Sequence, residues 1–198
     1  MPIVGREHLD EIVERVLRGE VVAMPTDTVY GLATRADDDA AVHRLAELKG
    51  RDPRQPIAVL FDAVADIEAL IDPPPDFGRL AAFWPGALTM VVRARPGAFA
   101  SALTPEGSIG IRQPDDDLAR ELLRRCGGVL AVTSANPHGE AAAASADAVA
   151  AMFGDALLIL DGGARGQVAS TVIDLTSDPP KVLREGVLTA AALGLEVG

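Results

Sequence analysis

The chain has 198 residues, 48% hydrophobic and only 4% aromatic, so its core must be built mainly from Ala, Val, Leu and Ile. A net charge of −11 argues against broad non-specific nucleic-acid binding, and the single cysteine, Cys126, rules out an intrachain disulfide. There is no charged-then-apolar leader pattern and no apolar run near membrane-span length, which makes the cytoplasm the expected location.

Arg6 to Leu17 places Leu9, Ile12, Val13, Val16 and Leu17 at helical spacing, and Gly19 ends the stripe. Val21 to Met24 is a short apolar run that reads as a strand buried on both faces, stopped by Pro25. Thr26, Asp27 and Thr28 then put small hydroxyls and a carboxylate where a strand emerges, before Val29 to Leu32 turns apolar again with Gly31 inside it. Asp37 to Asp39 offer caps for a helix with Val42, Leu45 and Leu48 on its apolar face and Gly50 as its stop. Arg44, Lys49, Arg51 and Arg54 form a basic island around that stop. They either complement the helix C-terminus or make an anion site.

Ile57 to Phe61 reads as a second buried strand, and Asp62 as the cap of a short helix to Ile71, broken by Pro73 to Pro75. Phe77 to Trp84 reads as a helix, Ala87 to Arg93 as a strand, and Arg95 to Gly107 as a loop or lid. Ile109 to Arg112 is a strand, and Asp115 to Asp117 open a helix carrying Leu118, Leu122 and Leu123. Val129 to Val132 is a buried strand, followed by Thr133, Ser134, Ala135 and Asn136 where open α/β sheets place ligands. A helix from Ser145 to Phe153 and a strand from Leu157 to Leu160 come next, then Gly162, Gly163 and Gly166 around Arg165, a candidate anion nest. Val172 to Leu175 and Lys181 to Arg184 are the last strands, with a terminal helix after Gly186. The pattern predicts an α/β fold: a twisted mixed sheet of about seven strands with helices on both faces.

Several chemistries have no motif here. The P-loop, the dinucleotide fingerprint and the G-x-S-x-G elbow are all missing, and His8, His43 and His138 are scattered with no metal-ligand spacing. What remains is a set of hydroxyls (Thr26, Thr28, Ser134, Ser170), one amide (Asn136) and cations (Lys49, Arg51, Arg112, Arg184), nearly all near predicted strand ends. Such an inventory suits an anionic ligand and charge stabilisation during a transfer, with phosphoryl and nucleotidyl transfer both open.

Six elements, in order, carry a family resemblance: P-T-D-T-V-Y-G-L at Pro25 to Leu32, L-K-G-R-D-P-R-Q-P-I at Leu48 to Ile57, F-W-P-G-A-L-T at Phe83 to Thr89, S-I-G-I-R-Q-P at Ser108 to Pro114, T-S-A-N-P-H-G at Thr133 to Gly139, and S-T-V-I-D at Ser170 to Asp174 with V-L-R-E-G at Val182 to Gly186. Together they resemble the YrdC-like threonylcarbamoyl-adenylate synthases, in their short form. The resemblance implies a single YrdC-like domain over 1–198. It implies a reaction in which L-threonine, bicarbonate and ATP give threonylcarbamoyl-AMP and pyrophosphate, supplying a tRNA adenosine modification. It further implies that Thr26, Arg112, Ser170 and the Val132 backbone hold threonine. Arg51, Gln55, Ser108, Ser134 and Arg184 would hold ATP, with Asn136 supporting that loop. Lys49 and Arg51 would face the phosphates as the catalytic pair. Mg2+ is expected with ATP, with no metal bound by protein ligands, and tRNA or a tRNA-modification complex as a transient partner; no membrane is involved. The chain departs from the family pattern at Asp27 for Glu, Gln55 for Asn, Leu60 where some members carry a threonine-contacting His, His138 for Ser, and Ala169 for Glu; Glu140 to Ala144 lacks the usual S-P-T. The alternative reading is a catalytically silent paralogue that binds nucleotide or double-stranded RNA.

Overall fold

A computed structural model describes residues 2–52, 55–99, 102–166 and 168–195. Arg54 of the basic island lies outside them, as do residues 100 and 101 of the expected lid.

Among the described residues eleven strands make one mixed sheet, where the sequence predicts about seven. In chain order they are β1 (Ile3–Val4), β2 (Val22–Met24), β3 (Gly31–Arg35), β4 (Ala58–Phe61), β5 (Ile71–Asp72), β6 (Leu88–Ala94), β7 (Ser108–Arg112), β8 (Val129–Ser134), β9 (Leu158–Leu160), β10 (Thr171–Asp174) and β11 (Lys181–Arg184). Their order across the sheet is β1-β9-β2-β3-β8-β4-β7-β6-β10-β11, with β5 paired to β6. The extra strands are short or polar. β1 and β5 have two residues each, and β3 reads G-L-A-T-R, with no β-branched run. Gly31 begins β3 opposite Ser134, and a Cβ there would lie 2.7 Å from Val132 Cγ1, so the close approach needs glycine.

Among the described residues six α-helices flank the sheet: α1 (Leu9–Leu17), α2 (Asp39–Lys49), α3 (Val64–Glu68), α4 (Phe77–Ala81), α5 (Asp117–Arg125) and α6 (Ala146–Phe153). The side chains of Asp38, Asp116 and Ser145 accept from Ala41, Ala119 and Ala148 N–H groups and so cap α2, α5 and α6. Gly50 closes α2 in the left-handed conformation at φ 68°. Asp62 does not cap α3 as expected. Its carboxylate takes Arg120 Nε at 3.1 Å and Arg124 Nε at 2.9 Å, and Asp66 binds the Ala63 N–H instead. Ile71, expected to end that helix, lies in β5. The terminal helix is a single 3-10 turn, Ala191–Leu193.

Strand alternation sorts the core into two layers. Val22, Met24, Leu60, Leu130 and Val132 pack with α1 and α5 on one face. Ala23, Val59, Phe61 and Ala131 pack with α2, α3, α4 and α6 on the other. Leu9, Ile12, Val13 and Val16 are buried as the α1 stripe predicts, each contributing about 1.5–3 kcal/mol. Leu17, at the end of the stripe, is 47% exposed. Beyond β4, the face that carries α1 and α5 opens into a cavity.

Candidate active site

The floor of this cavity is the pleat itself. Ala58 and Leu60 on β4, Gly110 and Arg112 on β7, Thr89 and Val91 on β6, and Val172 on β10 all face it. The wall comes from the β2–β3 turn, the α2–β4 loop, the end of β8 and the end of β11. The volume is about 390 Å3, room for a small metabolite. The site therefore lies across one face of the sheet as well as at strand ends, where the sequence pattern alone points.

The structure brings seven of the expected binding residues into the lining: Thr26, Arg51, Arg112, Val132, Ser134, Ser170 and Arg184. Arg112 is 6% exposed, and three of its five N–H groups are already bound: Nε to the Gly86 carbonyl at 2.9 Å, Nη1 to Thr28 Oγ1 at 2.9 Å and Nη2 to Asp27 Oδ1 at 2.5 Å. One hydrogen on each terminal nitrogen remains for a ligand, the fork that suits a carboxylate. Burial lowers the Arg112 pKa and Asp27 opposes that shift, so the group stays cationic. The T-D-T turn is shaped by Thr26, whose hydroxyl donates to the Val29 carbonyl at 2.6 Å and accepts from the Thr28 and Val29 N–H groups. The motif P-G thus serves Arg112 through a backbone carbonyl, and T-D-T serves it through two side chains.

At the other end, Arg184 donates from Nη2 to the Ser170 carbonyl at 2.9 Å, and Ser170 Oγ lies 2.8 Å from Thr89 Oγ1. Gly186 is required beside them, because a Cβ there would sit 2.2 Å from the Ala169 carbonyl oxygen. Arg51 donates to the Pro56 carbonyl at 2.9 Å, and its Nε is buried with no partner among the described residues. Burial lowers the pKa of both Arg51 and Arg184.

The remaining candidates stand elsewhere. Lys49 does not line the cavity. It is 6% exposed, and its ammonium reaches Ser134 O at 2.7 Å, Ser134 Oγ at 3.2 Å, Asn136 O at 3.1 Å and Asn136 Oδ1 at 2.9 Å. Lys49 closes the last turn of α2, and its ammonium bolts the loop after β8 to that helix. Desolvation, with Arg51 nearby, pulls its pKa down to about 8. Asn136 completes the loop, its Nδ2 donating to the Pro137 and Glu140 carbonyls. Ser108 Oγ is held by Thr104 Oγ1 at 2.8 Å, and Gln55 is exposed on its loop; neither lines the cavity. The expected nest at Gly162 and Gly163 is filled by the protein itself, since Gly162 N–H binds Tyr30 Oη and Gly163 N–H binds Asp161. Arg165 pairs with Asp116 at 2.9 Å. The expected lid is anchored in the core by Phe99 and Ala102, and none of its described residues lines the cavity. Thr89 and Gly86 are participants that no candidate list from the sequence contains, while Asp27 belongs to the T-D-T edge that the sequence singles out. Alternation along β6 puts Thr89 opposite buried Leu88, and that was the available signal.

A family model, Sua5_yciO_yrdC, described as "Telomere recombination", matches residues 14–186. This chain belongs to the Sua5/YciO/YrdC family. A Mycobacterium leprae member is 39% identical over 184 residues, covering 91% of this chain and 83% of its own. A Chromohalobacter salexigens member named threonylcarbamoyl-AMP synthase is 37% identical over 179 residues, covering 86% of this chain and 94% of its own. The crystal structure of P. abyssi Sua5 complexed with L-threonine superposes with a TM-score of 0.90 at 33% identity, covering 96% of this chain. The chain spans 59% of that longer Sua5 chain.

Proposed function

We propose that this chain is a threonylcarbamoyl-AMP synthase, a nucleotidyl-transferring enzyme that joins threonine, bicarbonate and ATP. The observation that carries this reading is one cavity holding two kinds of anion receptor. Arg112, with two free N–H groups beside Thr26 and Ser170, takes the amino-acid carboxylate. Arg51, Ser134 and Arg184 take the phosphates. Val132, on β8 with Ser134, lines the same cavity, and its backbone is assigned to the amino acid.

The residue types fit the reaction. Threonine's amine and bicarbonate form a carbamate with loss of water. A carbamate oxygen attacks the α-phosphorus of ATP, and pyrophosphate leaves with the bonding pair. No protein nucleophile is needed; positioning and fixed positive charge supply the catalysis. Arg51 is the charge nearest the phosphates, while Lys49 acts through Ser134 and Asn136 as a positioning residue. The cavity's polar side chains are cations and hydroxyls. That set fits Mg2+ entering on the ATP phosphates, where it would neutralise the triphosphate. No described helix is long and apolar enough to cross a membrane. In this reading tRNA, or its modifying complex, consumes the product, and the cytoplasm is where that reaction belongs.

The test is pyrophosphate release with each substrate omitted in turn. Release should need threonine and bicarbonate together. Equal release without threonine would overturn the reading.

A further inference from the structure

Thr89 and Ser170 form one of two hydroxyl pairs in the cavity lining, the other being Thr26 and Thr28; Thr89 and Ser170 are 7% and 6% exposed, with their oxygens 2.8 Å apart. The Thr89 side chain is fixed at both tips. Its oxygen faces Ser170, and its methyl faces Gly110, where an added Cβ would come within 3.3 Å of Cγ2. Ser170 is fixed as well, since Arg184 Nη2 binds its carbonyl at 2.9 Å and approaches its Oγ at 3.4 Å.

A guanidinium only donates, so the Arg184 side of Ser170 Oγ is an acceptor position. Between Thr89 and Ser170 one hydroxyl hydrogen is consumed in their mutual bond. Whichever of the two donates, one O–H is left over, and both residues line the cavity. The pair therefore offers one free donor and spare lone pairs at one spot of the lining, beside Arg184 and in a cavity whose apolar residues include Val91, Gly110, Val172 and Leu183. A ligand hydroxyl can accept from it and donate back. A methyl at the same place would leave the buried O–H unpaired, and sites built to bind a hydroxyl reject analogues without it more strongly than apolar pockets reject size changes.

We infer that Thr89 is a specificity-determining residue that, by orienting the Ser170 hydroxyl, makes the site select an amino acid with a side-chain hydroxyl. This rests on the synthase reading above. Thr89 acts through Ser170 and shares the contact with the ligand hydroxyl; the bond from Arg184 to the Ser170 carbonyl does not depend on the Thr89 hydroxyl.

The experiment is pyrophosphate formation by wild type, Thr89→Val and Thr89→Ser, with threonine, 2-aminobutyrate or valine as amino acid, alongside thermal melts. Thr89→Val keeps the shape and removes the hydroxyl. It should raise the threonine KM by about tenfold, leave the ATP KM unchanged and shrink the preference for threonine over 2-aminobutyrate by a similar factor. Thr89→Ser restores the oxygen and should restore the preference. A folded Thr89→Val protein with wild-type selectivity would overturn the inference, as would a wild-type enzyme that uses 2-aminobutyrate as well as threonine. If Thr89→Val does not fold, Thr89→Ala is read by the same ratio. Should wild type give no threonine-dependent pyrophosphate, it is the synthase reading that fails, a result visible before any variant is made.

Discussion

Two basic residues that stand two apart in sequence, Lys49 and Arg51, do different work in the folded chain. Lys49 is a buried bolt and Arg51 a cavity wall. Replacing Lys49 with Met strands oxygens of Ser134 and Asn136, at about 1–3 kcal/mol, and each kcal/mol lowers the melting temperature by about 2–4 °C in a chain of this size. Arg51→Ala gives up one bond to the Pro56 carbonyl, so its melt should stay within a few degrees while turnover falls by about a hundredfold. Paired melts and turnover assays separate the two; equal melting losses would contradict the division. The Lys49 ammonium also carries a pH signature. Its pKa of about 8 in the fold lies below the 10.5 of a free lysine, so the folded protein releases that proton first. Stability linked to this group therefore rises between about pH 8 and 10.5, while the bonds to the loop weaken from about pH 8 upward. Turnover should fall on an alkaline limb near pH 8 with no parallel loss of stability, and the limb should be absent from Lys49→Met. Sequence alone reached the basic island but not this role, because the partners of Lys49 lie 85 and 87 residues along the chain.

At the level of elements, the β2–β3 turn and β7 are joined by a nearly dry ion pair, with the Arg112 and Asp27 side chains 7% and 15% exposed. Breaking such a pair from one side leaves a buried charge and costs about 3–5 kcal/mol. Arg112→Ala should accordingly lose stability as well as threonine affinity. Adding Asp27→Asn to it should recover part of the stability without recovering threonine binding, as read by denaturant unfolding and isothermal titration. Additive losses in the double variant would show that the pair does not couple. The strands flanking this junction were legible where apolar residues run continuously, as in β2, β4, β8 and β9. β3 was not, because its Ala-Thr-Arg interior owes its place to pairing with β2 and β8 and not to local propensity. The same tertiary override hides β1 and β5, each too short to carry a period. The helix expected to run from Asp62 stops early for a related reason: Asp62 is claimed by Arg120 and Arg124 of α5, and Ile71 by β6.

On the scale of the whole molecule, one sheet with α1 and α5 covering only part of a face leaves the rest as a shallow reaction floor. The fold class was readable from strand and helix periods, and the site from hydroxyls and arginines at strand ends. The use of the sheet face itself was not, since it depends on which pleat a helix leaves bare. With a net charge of −11 and most arginines paired to carboxylates, the surface has little to offer a polyanion. Direct tRNA binding should be weak at physiological salt in a gel-shift titration. Tight, salt-resistant binding would favour the RNA-binding paralogue. The central claim is that bicarbonate carbon is fixed between threonine and AMP. Turnover with 13C-bicarbonate, followed by mass spectrometry, tests it most directly. The account predicts a product containing threonine, AMP and one labelled carbon, formed in step with pyrophosphate. Pyrophosphate accumulating with no labelled adduct, even when the product is trapped at once, would contradict it.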